Sequence, residues 1–233
     1  MIILRLKYKK EQNMKFLSHL ELIKTVERIF RRMQLPMVFS QGFSPKPKIN
    51  YAAPLPVGVS SECDYLDVEL TEKIDIKELI ETQGPYMPKG LTFVEGKYFD
   101  KTKSLMSIVT DSAYLVEIET QVAYEKAQVE DLVSKFLGME TIEYQKLNKK
   151  KKLKTIDIKP LIQAVDLLAV QDKKIIFKVL VTTGSNGNLK PEKLMELFIE
   201  KMAVDAVPMK EQYKRLSLYA RDKNNKLIDL FEV

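Results

Sequence analysis

Residues 18–58, SHLELIKTVERIFRRMQLPMVFSQGFSPKPKINYAAPLPVG, set one strong helix beside a segment that no helix can occupy. Leu22, Ile23, Val26, Ile29, Phe30 and Met33 recur at helical spacing on one face, which predicts a helix over 19–34. Its start is marked three ways. Ser18 is a good N-cap, Glu21 completes a capping box, and Leu17 and Leu22 stand where a hydrophobic staple packs. Pro36 follows the end. Residues 37–41 then read as a strand. Residues 40–58 hold four of the ten prolines, with Lys46 and Lys48 alternating with Pro45 and Pro47, and Gly42 and Gly58 at the margins. Proline fixes its own φ and pushes the preceding residue into extended backbone, so this stretch reads as a stiff, extended, cationic loop.

Outward from this stretch, residues 2–9 alternate as a strand, residues 64–70 (DYLDVEL) alternate strictly, 75–82 suit a short helix and 91–98 a further strand. The order is β-α-β-β-α-β, the split β-α-β unit of the ferredoxin-like fold. It recurs. Residues 113–120 alternate, 124–137 form a helix ending at Gly138, and 141–147 read as a strand. Residues 165–170 and 174–182 read as a hairpin, Pro191 opens a helix to about Met202, and 213–219 close with a strand, followed by a short one at 227–232. The expected fold is α+β, with two tandem ferredoxin-like (βαββαβ) domains over 1–103 and 112–233. No sequence identity between the halves is visible, so the repeat is architectural.

Composition excludes more than it suggests. Cys63 and His19 are each the only residue of their type, so the chain cannot form an internal disulfide, build a structural zinc site alone or hold an iron–sulfur cluster. No metal and no cofactor is expected. Cys63 lies between Glu62 and Asp64, an acidic setting that disfavours a thiolate. No apolar run is long enough to cross a bilayer, and the MIILRLKYKK start has the reverse order of a signal peptide. These features predict a cytoplasmic protein without membrane contact.

Charge is uneven. Residues 1–48 carry eleven Lys or Arg against three Glu, a net +8, so the other 185 residues sum to −2. A second basic cluster comprises Lys146, Lys149, Lys150, Lys151, Lys152 and Lys154. Such asymmetry is either the footprint of nucleic-acid binding or a solvated lysine-rich surface. In the expected topology the first and second strands are parallel and end on one sheet edge. Ser18 and His19, at the helix start, would then meet Ser40, Gln41, Gly42 and the Lys46/Lys48 loop, beside free helix N–H groups that suit phosphate. His19 reads either as an acid/base or phosphate contact, or as an imidazole closing the end of the core. Lys24, Arg28, Arg31 and Arg32 form a stripe that is either a solvated face or a set of bidentate phosphate contacts. Phe43 and Tyr51 either stack on bases or pack beneath the loop.

The run Phe16-Leu17-Ser18-His19-Leu20-Glu21-Leu22, then Glu27-Arg28, Arg31-Arg32, Leu35-Pro36, Ser40 through Pro47, and Pro54-Leu55-Pro56-Val57-Gly58 resembles an uncharacterised bacterial family. Its members are encoded beside, or fused to, radical SAM proteins, some carrying a B12-type domain. The match is specific over residues 1–70 and continues weakly through Asp157–Ile162 and the Leu189–Pro191 helix start. The family has no activity to carry over, but its gene context implies RNA or translation work and a radical SAM partner. Many relatives have Asn and His where this chain has Ser44 and Lys46, so a two-histidine mechanism is not available here. The chain also lacks the three-cysteine motif of a radical SAM cluster, so it is not itself such an enzyme. CRISPR-repeat endoribonucleases also pair two ferredoxin-like domains, a likeness of fold alone.

Three functions are therefore set against one another. The first is a non-catalytic RNA-binding or accessory module of a radical SAM enzyme, in RNA modification, processing or translation-related work. It would hold phosphates with Ser18, His19, Arg28, Arg31, Arg32, Ser40, Gln41, Gly42, Lys46 and Lys48 and stack with Phe43. The second is a metal-independent endoribonuclease using His19. The third is a protein-interaction scaffold without RNA contact.

Overall fold

The computed structural model describes residues 2–101, 103–147, 152–185 and 187–233. The chain is an α+β protein that groups into two compact units, Met1–Asp111 with Arg215–Val233, and Ser112–Lys214. The sequence-based boundary gives the closing strand to the second half, whereas by contacts residues 215–233 gather with the first.

The first unit begins with strand β1 (Ile2–Lys10) and helix α1 (His19–Arg32). Strands β2 (Ile49–Tyr51) and β3 (Ser60–Leu70), helix α2 (Ile76–Thr82) and strand β4 (Leu91–Phe99) follow. The sheet order is β4-β1-β3, with β2 also on β3. All three of these pairings are antiparallel. The pleat sorts the side chains. Leu4, Leu6 and Tyr8 of β1 join Leu66 and Val68 of β3 against Leu22, Val26, Ile29 and Phe30 of α1. Phe30 stacks on Phe93 of β4 at 5.4 Å between centroids. A smaller core contains Cys63 and Tyr65 of β3 together with Leu218, Ala220, Leu230 and Phe231 from the chain's last segment.

The second unit runs through β5 (Asp111–Glu119), α4 (Lys126–Gly138), the hairpin of β6 (Glu143–Leu147) and β7 (Leu153–Asp157), the hairpin of β8 (Ile162–Gln171) and β9 (Lys174–Thr182), and α5 (Pro191–Lys201). Its longer strands are neighbours in the order β5-β9-β8. Phe136 of α4 and Phe177 of β9 both meet the ring of Phe198 of α5 edge-on. The one-turn helix α3 (Leu105–Ile108) belongs to the first unit, close to its boundary in sequence with the second. Strands β10 (Gln212–Arg221) and β11 (Leu227–Asp229) end the chain, paired with each other.

Two local expectations change. Residues 37–41 are not a strand: they contribute only isolated bridges, Met37 to Leu70 and Phe39 to Pro47. The strand that runs beside β3 lies inside the proline-rich stretch, at Ile49–Tyr51, in register with Val68–Leu66. Its position is physically reasonable. Ile49 and Tyr51 face the core while Asn50 is exposed, and Pro47 and Pro54 stay outside the ladder, where a missing N–H costs nothing. Residues 141–147 are strand only from Glu143, and they pair with the unforeseen β7 as a separate hairpin.

Candidate nucleic-acid interface

Moving the strand to 49–51 cuts the proline-rich stretch into two loops at opposite ends of α1. The cationic half lies at the helix C-terminal end. Its stem is built from backbone bonds. Val38 N–H donates to Glu69 O at 2.8 Å, Lys48 N–H to Val38 O at 2.9 Å, and Ser40 N–H to Lys46 O at 2.8 Å. The Ser40 hydroxyl accepts from Lys46 N–H at 3.0 Å, so it closes the loop. Arg31, in the last turn of α1, lies over the Phe39 ring at 5.1 Å, which ties this hairpin to that end of the helix. Gly42 takes φ +119°, a conformation that favours glycine, and turns the tip. The neighbouring Phe43 ring is fully exposed.

The other half, Ala52–Gly58, lies at the start of α1. Gly58 N–H donates to Lys15 O at 2.8 Å, and Ala52 N–H to Tyr65 O at 3.0 Å. The His19 ring meets Tyr51 edge-on at 5.4 Å. Fourteen residues of helix separate the two ends, about 20 Å at the α-helical rise. The single rim expected from the sequence, with Ser18 and His19 beside Ser40, Gln41, Gly42, Lys46 and Lys48, is therefore two places.

The cations divide as well. Lys48 is paired with Glu69 at 3.0 Å and Arg31 with Glu27 at 2.8 Å. Arg28, Arg32 and Lys46 are exposed and have no carboxylate partner among the described residues. At the opposite end the capping box is complete. Glu21 accepts from Ser18 N–H at 2.8 Å and from its hydroxyl at 2.7 Å, and the same hydroxyl accepts from Glu21 N–H at 3.3 Å. Ser18 is thus occupied, and a carboxylate already complements the helix dipole.

Near His19 lies a group that the sequence reading did not single out. Lys10, Asp64 and Arg215 are 1%, 3% and 1% exposed, and Tyr8 is buried beside them. Arg215 donates to Asp64 Oδ1 at 2.6 Å and to Ala53 O at 3.0 Å, holding the apolar half of the loop onto β3. Burial lowers the His19 pKa; the Lys10 charge adds to this and Asp64 opposes it. The signal was present in the sequence. Lys10 and Asp64 occupy inward positions of strands, in phase with Leu4, Leu6 and Tyr8 and with Leu66 and Val68, where an apolar side chain is the rule. Cys63 is buried, and burial raises its thiol pKa, which keeps it protonated.

In the second unit, Tyr144, Lys146, Leu147, Leu153, Lys190 and Lys193 line a cavity of about 860 Å³. Lys149, Lys150 and Lys151 of the basic cluster lie outside the described residues. No group of three His, Cys, Asp or Glu among the described residues could hold a metal ion, and no helix there is long and apolar enough to cross a membrane.

These features define an α+β protein with a cationic hairpin loop at one end of its first helix. Residues 4–191 match the model of DUF2344, uncharacterized proteins conserved in bacteria, and the chain belongs to that family. No curated protein matches it in sequence. Its fold is similar to that of a chain in a Cbf5-Nop10-Gar1 complex, with a TM-score of 0.54 and 11% identity over 98% of this chain and 52% of that one. An archaeal box H/ACA sRNP Nop10-Cbf5 complex gives a TM-score of 0.49 and 10% identity over 91% of this chain and 46% of that one. An H/ACA RNP bound to a substrate RNA containing 2'-deoxyuridine gives 0.47 and 10% over 92% and 46%. This chain spans about half the length of each. At such identity the likeness is one of fold.

Proposed function

We propose that the protein is an RNA-binding or accessory module that works with a radical SAM enzyme in RNA modification, processing or translation-related work. One observation carries the RNA reading: a fully exposed phenylalanine stands on a pinned hairpin tip, with the uncommitted Lys46 three residues away. A solvated aromatic ring beside cations is the equipment for stacking a base while holding its phosphates. Arg28 and Arg32 extend the cationic surface along α1, while Ser40, Gln41 and Gly42 shape the loop. The radical SAM partner is supported by the resemblance of the 16–58 motifs. The proposal keeps an architecture of two tandem ferredoxin-like domains, 1–103 and 112–233. The antiparallel β4-β1-β3 order, with the short β2 pairing β3 on the edge it shares with β10, supports it for the first.

The endoribonuclease reading has less support. Asp64, the carboxylate nearest in effect to His19, is held by Arg215 and is poorly placed to serve as a second acid or base.

Fluorescence anisotropy with a single-stranded oligoribonucleotide tests the proposal. Phe43→Ala is expected to weaken binding by about 1–3 kcal/mol, the range for one stacked base, with no change in Tm because the ring packs against nothing. Lys46→Glu should weaken it further. Unchanged affinity in the double variant overturns the RNA reading.

A further inference from the structure

We infer that Lys10 and His19, backed by Arg215, form a seat for a terminal phosphate monoester at the N-terminal end of α1. That the monoester is an RNA end rests on the RNA reading above; the seat itself lies at the opposite end of the helix from the Phe43 loop.

Lys10 carries the inference. The residue is 1% exposed, yet its ammonium, with three protons to donate, has a single hydrogen-bond acceptor among the described residues, the Leu17 carbonyl at 3.5 Å. Buried ammonium groups are ordinarily paired, because a counter-charge offsets the cost of desolvation. The obvious counter-charge, Asp64, is already engaged by Arg215 at 2.6 Å. Burial and the Arg215 charge both lower the Lys10 pKa, while Asp64 raises it. An arriving anion would remove the imbalance and hold the ammonium charged.

The surroundings suit a phosphate. His19 is partly buried, lies two residues past the Leu17 carbonyl that Lys10 meets, feels the charges of Lys10 and Asp64, and can donate a ring N–H. Its ring packs edge-on against Tyr51 at 5.4 Å, which favours one orientation. Arg215 is committed to Asp64, Ala53 O and Pro54 O, and adds positive potential without having to move. The Ser18 donors are not part of the seat, since Glu21 has taken them. A monoester fits better than an internal phosphodiester. A buried ammonium beside a partly buried ring accommodates a chain end more readily than a phosphate with nucleotides on both sides.

Two measurements test this. In the first, inorganic phosphate is titrated against chloride at matched ionic strength. The parent should show a rise in Tm and a shift of its single imidazole signal in NMR, with the His19 titration midpoint moving up. Lys10→Met and Lys10→Gln, two variants with differing risk to folding, should lose both responses. In the second, the parent should bind 5′- or 3′-phosphorylated oligoribonucleotides about tenfold more tightly than the same oligomer with hydroxyl ends. Comparing the two ends assigns the source of the monoester. Lys10→Met should abolish the preference and keep the hydroxyl oligomer's affinity. If all oligomers bind equally and phosphate leaves the imidazole signal in place, the seat is wrong while the RNA reading stands. If phosphate still shifts the signal through Lys10 but no oligomer binds, the seat stands and the RNA reading is wrong.

Discussion

His19 senses its surroundings as a single titrating ring. Burial lowers its pKa from 6.5, Lys10 adds to the shift, Asp64 opposes it, and Tyr51 covers one side of the ring. The folded protein therefore favours the neutral imidazole, and on acidification the unfolded chain takes up the proton first. This group's contribution to stability is complete above about pH 6.5 and is lost as pH falls from there through the folded-state pKa. NMR should place the titration midpoint below 6.5 in the folded protein. His19→Asn should flatten the fall in Tm between about pH 7 and pH 5.5, above the range where carboxylates titrate. A midpoint at or above 6.5 would show that the ring is solvated and the Lys10 group more open than described. The sequence left Phe43 and Tyr51 with the same two roles. Exposure separates them: Phe43 is bare at a loop tip, while Tyr51 faces the core beside His19.

At the scale of elements, α1 is the piece most fully written in the sequence. Its apolar stripe is the buried face, and both hydrogen bonds of the Ser18–Glu21 box form. Ser18→Ala should lower unfolding free energy by about 1 kcal/mol in chemical denaturation. It should leave affinity for a hydroxyl-ended oligoribonucleotide unchanged, because the Phe43 loop is a helix length away. A matching loss of affinity would place RNA at the helix start instead. The second strand was not legible. Three residues between prolines carry almost no periodic signal, whereas Met37-Val38-Phe39 is the better strand by composition. The ladder on β3 chose Ile49–Tyr51, and with that choice each half of the proline-rich stretch went to a different end of the helix.

For the whole molecule, net charge is a poor guide to the number of phosphates held. Residues 1–48 carry a net +8, yet within the expected site Lys48 and Arg31 are neutralised by neighbours, leaving Arg28, Arg32 and Lys46. Three phosphate contacts predict a slope of log K against log salt of about −2 for single-stranded RNA, falling to about −1.4 in Lys46→Gln. A much steeper slope would bring in further lysines, those of the second unit's cavity among them. The same long-range chemistry binds the end of the chain to its beginning: Arg215 meets Asp64 and Arg221 meets Asp111, partners 151 and 110 residues apart. The sequence by itself determined the α+β class, the capped helix, the cationic proline-rich loop, and the lack of residues for a zinc or disulfide scaffold. These follow from local periodicity, backbone restriction and counting. Only the tertiary structure decided which end of α1 the loop occupies, which cations keep their charge free, and that the carboxylate beside Lys10 is already taken by Arg215. Those depend on strand register and on pairs far apart in the chain, which no local pattern encodes.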